Sequence, residues 1–169
     1  MEFLKIVFLC IGAACAYGIA HDQITARVCV EYFTIGHPPI FNTNSPTLLG
    51  IGWGIFATWW VDAMLGVLIA LFARIGKARK IPAREIIKPL CVLILVMAVL
   101  ALVAGITGYI LGKNGTVYLL DPLNHQVPQE IHAAFLADLW AHLASYGAGF
   151  LGGIVICIQT VRNRKAAAH

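Results

Sequence analysis

Between His21 and Pro39 the sequence reads HDQITARVCVEYFTIGHPP, which sets His21, Asp22, Arg27, Glu31 and His37 into an otherwise apolar chain. About a hundred residues on, HAAFLADLWAHLASYG places His132, Asp138 and His142 in a second apolar stretch. Neutral imidazoles and carboxylates make a nitrogen-and-oxygen ligand set for a divalent metal: zinc, or non-haem iron or manganese. Asp138 and His142, four residues apart, project from one helix face and can converge on one point. His21 would supply a third ligand, with Asp22 or His132 completing the site. An open coordination position would activate a water for hydrolysis or serve oxygen chemistry. Glu31 is the candidate general base at the mouth, provided that an i,i+4 pairing with Arg27 leaves one of its oxygens free. Tyr32 or Glu31 could orient a ligand histidine through its other ring nitrogen. The spacing is not a zinc signature of the H-E-x-x-H kind, so residue types and placement carry this reading.

Each group also has a plainer role. Asp138 and His142 could form a structural hydrogen-bonded pair, and Arg27 with Glu31 a bracing surface ion pair. His37 and His125 fall in loops, where histidines are commonly ordinary surface residues. Asp62, alone near the middle of an apolar segment, needs a partner from another helix or must be protonated, and a backbone group or a hydroxyl such as that of Ser145 would suffice.

The elements that must position these groups are membrane helices. Of 169 residues, 60% are hydrophobic and 12% charged, about half the charged share of a soluble domain. Four apolar runs reach the length of about 20 residues that crosses the hydrocarbon as a helix. The expected fold is therefore an all-α integral membrane protein: one transmembrane domain over 1–169, a bundle of four spans at about 3–35, 49–72, 86–111 and 129–161. The first would be roughly 50 Å long at 1.5 Å per residue, so it should project outward or bend near Gly18 to His21. Gly36, Pro38 and Pro39 stop it. Trp53 suits an interfacial position. The third span carries no charge beyond Lys88 and reads as a lipid-facing scaffold. Gly147, Gly149, Gly152 and Gly153 give the fourth a small-residue face for close packing.

Net charge is +4, yet the cations cluster beside the spans, which is a topology signal and not a nucleic-acid footprint. Arg74 to Lys88 holds six Lys or Arg against one Glu85. That makes 74–88 a cytoplasmic loop, and Lys5 with Arg162, Arg164 and Lys165 puts both termini on the same side. A bacterial inner membrane is the expected location. Counted upward from these boundaries, His21, Asp22, Asp138 and His142 share a level near the outer face, and Asp62 lies deeper.

Several classes fall away. The five cysteines include no Cys-x-x-Cys pair, which disfavours a thiol oxidoreductase. GAGFLG fits G-x-G-x-x-G but lies inside a helix without a preceding strand, so it is no dinucleotide site. What remains is a metal-dependent membrane hydrolase or oxidase acting on a lipid or other amphiphile. The alternatives are a proton- or ion-coupled small transporter, which would need a homo-oligomer, or an accessory subunit of a larger membrane complex. A cysteine introduced at Ser45 is expected to react with an impermeant reagent from outside, and one at Ala78 only from the cytoplasm. Labelling of both from one side would overturn the topology.

Overall fold

The computed structural model describes residues 1–166, and the last three positions of the expected 1–169 domain lie outside the described residues. The chain is all-helical among those residues: α1 (Glu2–Val28), α2 (Glu31–Thr34), α3 (Pro46–Phe56), α4 (Trp59–Arg74), α5 (Ala83–Lys113), α6 (Leu123–Gln126), a 3₁₀ turn (Gln129–Ile131) and α7 (His132–Ala166). Four segments are long and apolar enough to cross a membrane: Glu2–Val28, Pro46–Arg74, Ala83–Lys113 and Gln129–Ala166. Their flanks expose large apolar side chains such as Phe8, Leu95, Leu102 and Phe150. An apolar outer surface of this extent is the mark of a chain that meets lipid or partners.

The bundle is two tight helix pairs. α1 packs along α3 and α4, and α5 packs along α7, while the two pairs meet through α4 with α7 and α1 with α5. Glycine sets both close approaches. A Cβ on Gly54 would stand 2.5 Å from Ile19 N, and one on Gly50 would stand 2.9 Å from Asp22 O. With Gly18 facing Gly54 in turn, α3 rests on the α1 backbone just below Asp22. The spacing Gly50-x-x-x-Gly54 is the membrane small-residue motif. On the other pair, a Cβ on Gly108 would lie 2.8 Å from Leu136 O, and one on Gly112 would lie 3.2 Å from Ala133 Cα. The third span is thus a packing partner for α7, not only a lipid-facing scaffold. Three of the four α7 glycines pack closely against neighbouring helices as expected: a Cβ on Gly149 would lie 3.1 Å from Met97 Cε. Gly152 and Gly153 receive the side chains of Leu93 and Leu65, and Gly147 meets nothing within 4 Å.

Neither break in the long helices falls at Gly18 to His21. α1 runs unbroken through that stretch, because Gly18 serves the α3 crossing. It stops at Cys29, which is extended (φ −154°, ψ 98°), and α2 then folds back so that Tyr32 and Phe33 are buried. Burying two aromatic side chains outweighs the continuity of a helix that would otherwise carry them into solvent. The second span breaks at Ala57–Thr58 between α3 and α4. There the Thr58 hydroxyl donates to Gly54 O at 2.6 Å while its N–H turns to Ile55 O at 3.2 Å. A threonine hydroxyl that takes the i−4 carbonyl bends a helix in this way.

One end of the bundle gathers Glu2, the loop after α4 and the last turns of α7. The Glu2 carboxylate accepts the Ala83 N–H at 3.0 Å. Arg164, 7% exposed, donates to Ile75 O (2.5 Å), Arg79 O (2.7 Å) and Phe72 O. The Phe72 and Ile75 carbonyls are ones that the end of α4 leaves open, and that of Arg79 belongs to the loop that follows, so Arg164 closes the helix and the loop together. Two apolar cores follow. The one near this end holds Ile6, Ile69, Ile86 and Ile156, and the other holds Tyr32, Phe33, Trp53, Leu119 and Phe135.

Gly54→Leu is expected to destabilise the protein by about 2 kcal/mol or more through overpacking, read as a lowered thermal midpoint in detergent. Gly147→Ala should be neutral or stabilising by up to about 1 kcal/mol. Equal loss in both variants would show that α1 and α3 do not meet as described.

Candidate metal centre

His21 and Asp22 leave the C-terminal part of α1 where α3 presses against its backbone, and His142 reaches them from α7. Their ligand atoms all lie within 4.8 Å of one another. Asp22 is 5% exposed and His142 2%.

Hydrogen bonding fixes the state of the His142 ring. Its Nδ1 lies 2.9 Å from Asp138 O, and a carbonyl only accepts, so Nδ1 carries the proton and donates it. With the proton on Nδ1, the other ring nitrogen, Nε2, lies 3.2 Å from Asp22 Oδ1 and turns a lone pair toward it in the neutral form of the ring. Two acceptors in that contact repel unless a cation lies between them, either a proton or a metal ion. His21 adds a third donor. Its Nε2 is buried without any hydrogen-bond partner among the described residues. Leaving such a group unpaired costs about 1–3 kcal/mol, a cost that a ligand would remove. A tetrahedral ion at about 2.1 Å from each donor needs them roughly 3.4 Å apart. The group would therefore tighten by at most about 1.4 Å at its widest.

Aromatic rings enclose the three donors. Tyr32 from α2 stacks on His142 with centroids 4.5 Å apart and planes at 29°. His21 meets His142 edge-on at 4.5 Å, Tyr17 stacks on His21 at 5.7 Å, and Tyr146 stands edge-on to His142 at 5.6 Å. Tyr17 is held in turn by a 2.8 Å hydrogen bond between its hydroxyl and Ser145 Oγ. Above Tyr32, His37 packs at 4.9 Å and donates its Nδ1–H to Tyr32 O at 2.8 Å. Burial lowers the His37 pKa below the usual imidazole range and raises that of the Tyr32 phenol. The roof over the centre is therefore uncharged near neutral pH.

The other expected site residues stand apart from this group. Asp138, 4% exposed, lends its backbone carbonyl to His142, while its carboxylate Oδ2 is buried and unpartnered among the described residues. His132 donates its Nε2–H to Val127 O at 2.9 Å, which fastens the start of α7 to the preceding loop. Glu31 is not paired with Arg27, because the break at Cys29 takes them off a common helix. Arg27 turns back to Gln23 O and Gln23 Oε1, both at 2.7 Å, and to Thr47 Oγ1 at 3.1 Å. Glu31 instead accepts from the Cys29 thiol at 3.5 Å. Burial first, and then this contact, push the Cys29 pKa up to about 12. Asp62 is half-buried on α4, and the hydroxyl suggested as its partner, Ser145, is taken by Tyr17. His125 forms an exposed contact with Asp121 at 3.2 Å.

Sequence reasoning missed the tyrosine ring and the glycines that seat Asp22. Gly50-x-x-x-Gly54 was the available signal for the second. For Tyr17 and Tyr146 the signal was helical spacing alone: each lies four residues from a histidine of the three-donor group, Tyr17 before His21 and Tyr146 after His142. No family model matches this chain, and the comparisons with curated proteins and with solved structures find no similar protein or fold.

Proposed function

We propose that the chain is an integral membrane metalloprotein whose His21, Asp22 and His142 hold one divalent transition metal ion near the outer face. The observation that carries this reading is the His142 Nε2 lone pair facing Asp22 Oδ1 at 3.2 Å beside an unpartnered His21 Nε2. Three donors on one ion leave coordination positions free, which is the pattern of catalytic and not of structural sites. Two imidazoles with one carboxylate suit zinc hydrolysis or non-haem iron chemistry, and manganese accepts the same set. The backbone carbonyl of Asp138 would keep Nε2 of His142 free for the ion, as ligand histidines generally require. Apolar surroundings strengthen the polarisation of any oxygen bound there.

In this reading the substrate is a lipid or other amphiphile that reaches the centre from the bilayer, and α2 with Tyr32 covers the reacting end. The spans cross a bacterial inner membrane with both termini cytoplasmic, in keeping with Glu2, the basic loop and Arg164 meeting at one end of the bundle. Glu31, beside Cys29, would act as a base only after α2 moves.

One observation favours a second reading. A single proton between Asp22 and His142 satisfies the same contact, and the buried Asp138 and half-buried Asp62 would extend a proton path inward. The protein would then be a proton- or ion-coupled carrier built from more than one chain.

Protein purified without chelators and supplied with zinc, iron and manganese is expected to hold about one ion per chain. Asp22→Ala and His142→Ala should each weaken binding by more than about 100-fold, since even residues that only support a ligand account for 10–100-fold. His132→Ala should bind normally. Elemental analysis and competition with a chelator read both. Wild-type protein that binds none of the three metals stoichiometrically would end the metal reading and leave the carrier.

A further inference from the structure

The end of the bundle opposite α2 is left with charge of one sign. Both acids there are taken. Glu2 pairs with Lys5 at 2.7 Å and accepts the Ala83 N–H, while Glu85 holds Arg79 through both oxygens, at 2.6 and 3.1 Å. Lys77, Lys80, Arg84, Lys88, Arg162 and Lys165 are exposed at that end. None of them makes an ion pair or a side-chain hydrogen bond among the described residues. The other end mixes signs, with Arg27 and Lys113 against Glu31, Asp121 and Glu130.

Two of the unpaired cations head an apolar surface. Arg84 and Lys88 lie four residues apart in the first turns of α5 and share a face. Followed at helical spacing, that face carries Cys91, Leu95, Ala98, Leu102, Ile106 and Tyr109, all exposed. The buried side of the helix, with Ile86, Leu90, Leu93 and Ala101, lies elsewhere on its circumference. From Lys88 to Tyr109 the helix rises about 32 Å, close to the ~30 Å of the hydrocarbon. Arg84 and Lys88 therefore stand at headgroup level, with the apolar face running below them. At the far end of the same face the only cation is Lys113, which lies over the Tyr109 ring at 5.8 Å.

This combination selects the occupant. A guanidinium and an ammonium one turn apart, with the neighbouring Glu85 already bound, suit a phosphate. A soluble phosphate would use the two charges and leave the apolar face idle. An acidic protein in the cytoplasm would meet the basic loop and not the face below it. A phospholipid engages both, with its phosphate on Arg84 and Lys88 and an acyl chain along Leu95 and Leu102. A choline or ethanolamine head would bring its own cation up against these two, so the favoured head is one that adds no positive charge.

We propose that Arg84 and Lys88 form a site for the phosphate of an anionic phospholipid on the lipid-facing side of α5. The site goes beyond the metal reading and does not rest on it, since the three donors lie toward the other end of the bundle.

The test titrates full-length protein in detergent with dioleoylphosphatidylglycerol or dioleoylphosphatidylcholine and counts bound lipids by native mass spectrometry. The first phosphatidylglycerol is expected to bind at least tenfold more tightly than the first phosphatidylcholine. A cation at an anionic headgroup contributes about fivefold, so joint Arg84→Gln and Lys88→Gln substitution should remove that preference. Joint Arg162→Gln and Lys165→Gln substitution, an equal loss of charge at the same end, should keep it, as should Lys113→Gln. Glycerophosphoglycerol, the head without its chains, should not compete at tenfold excess. If the first double variant does not fold, Lys88→Gln decides alone, with a loss of about fivefold. Equal binding of the two lipids would overturn the proposal. So would equal loss in both double variants, which would reduce the site to diffuse charge, and so would competition by the chainless head, which would make the ligand a soluble phosphate. Metal content, measured on a separate sample, bears on the metal reading alone.

Discussion

Everything near the centre depends on one contact across the seam of the bundle, His142 Nε2 against Asp22 Oδ1. α1 belongs to one tight helix pair and α7 to the other, and they touch each other only briefly. Packing between the pairs is mostly apolar and fixes no register by itself. A carboxylate on one pair and an imidazole on the other do fix it, because neither can be left alone in an apolar interior. The Asp138 carbonyl then decides which nitrogen of His142 faces the seam. Glycine makes the contact reachable. Without the close approach of Gly50 and Gly54 to the α1 backbone, α3 would sit farther out and leave Asp22 room to turn toward solvent.

How much of this was legible in the sequence follows from range. The four apolar runs and the basic loop state the helical architecture without knowledge of any contact, since length and hydropathy are local properties. The meeting of His21 and Asp22 with His142 followed from depth arithmetic, which works because a helix rises by a constant 1.5 Å per residue. Rotation about the helix axis is another matter. Depth alone could not tell that Asp138 would contribute its backbone carbonyl to the three-donor group while its carboxylate stayed outside it, or that His132 would be spent on Val127. The Arg27–Glu31 pair failed for a related reason. It assumed a continuous helix, and the break at Cys29 comes from burying Tyr32 and Phe33 against partners far away in sequence. No Gly or Pro marks that break. Thr58 was likewise silent, because its hydroxyl bends the second span only through the carbonyl of a glycine already committed to α1.

The centre lies between two cores of different character. Toward the basic end the packing is aliphatic, with Ile6, Ile69 and Ile86 almost fully enclosed and Arg164 fastening the helix ends. Toward the other end it is aromatic, and its key pieces, Tyr32 and Phe33, ride on the four-residue α2. So short a helix has little stability of its own. It is held by stacking on His142, by contact with Trp53 and by the His37 bond to the Tyr32 carbonyl. A rigid floor and a roof fastened mainly by side chains is the arrangement in which opening is cheapest on one side.

That asymmetry bears on how the donors could be reached. Access from the basic end would require parting the aliphatic core and breaking the Arg164 contacts to four backbone carbonyls between Phe72 and Arg79 at once. Access from the roof would require α2 to leave its contacts with His142, Trp53 and His37, next to Cys29, whose extended backbone interrupts the helix. The roof also stands next to a small cavity lined by Phe33, Phe41 and Trp53. Phe33 borders that cavity on one side and meets the His142 ring on the other, so one side chain of α2 joins the two.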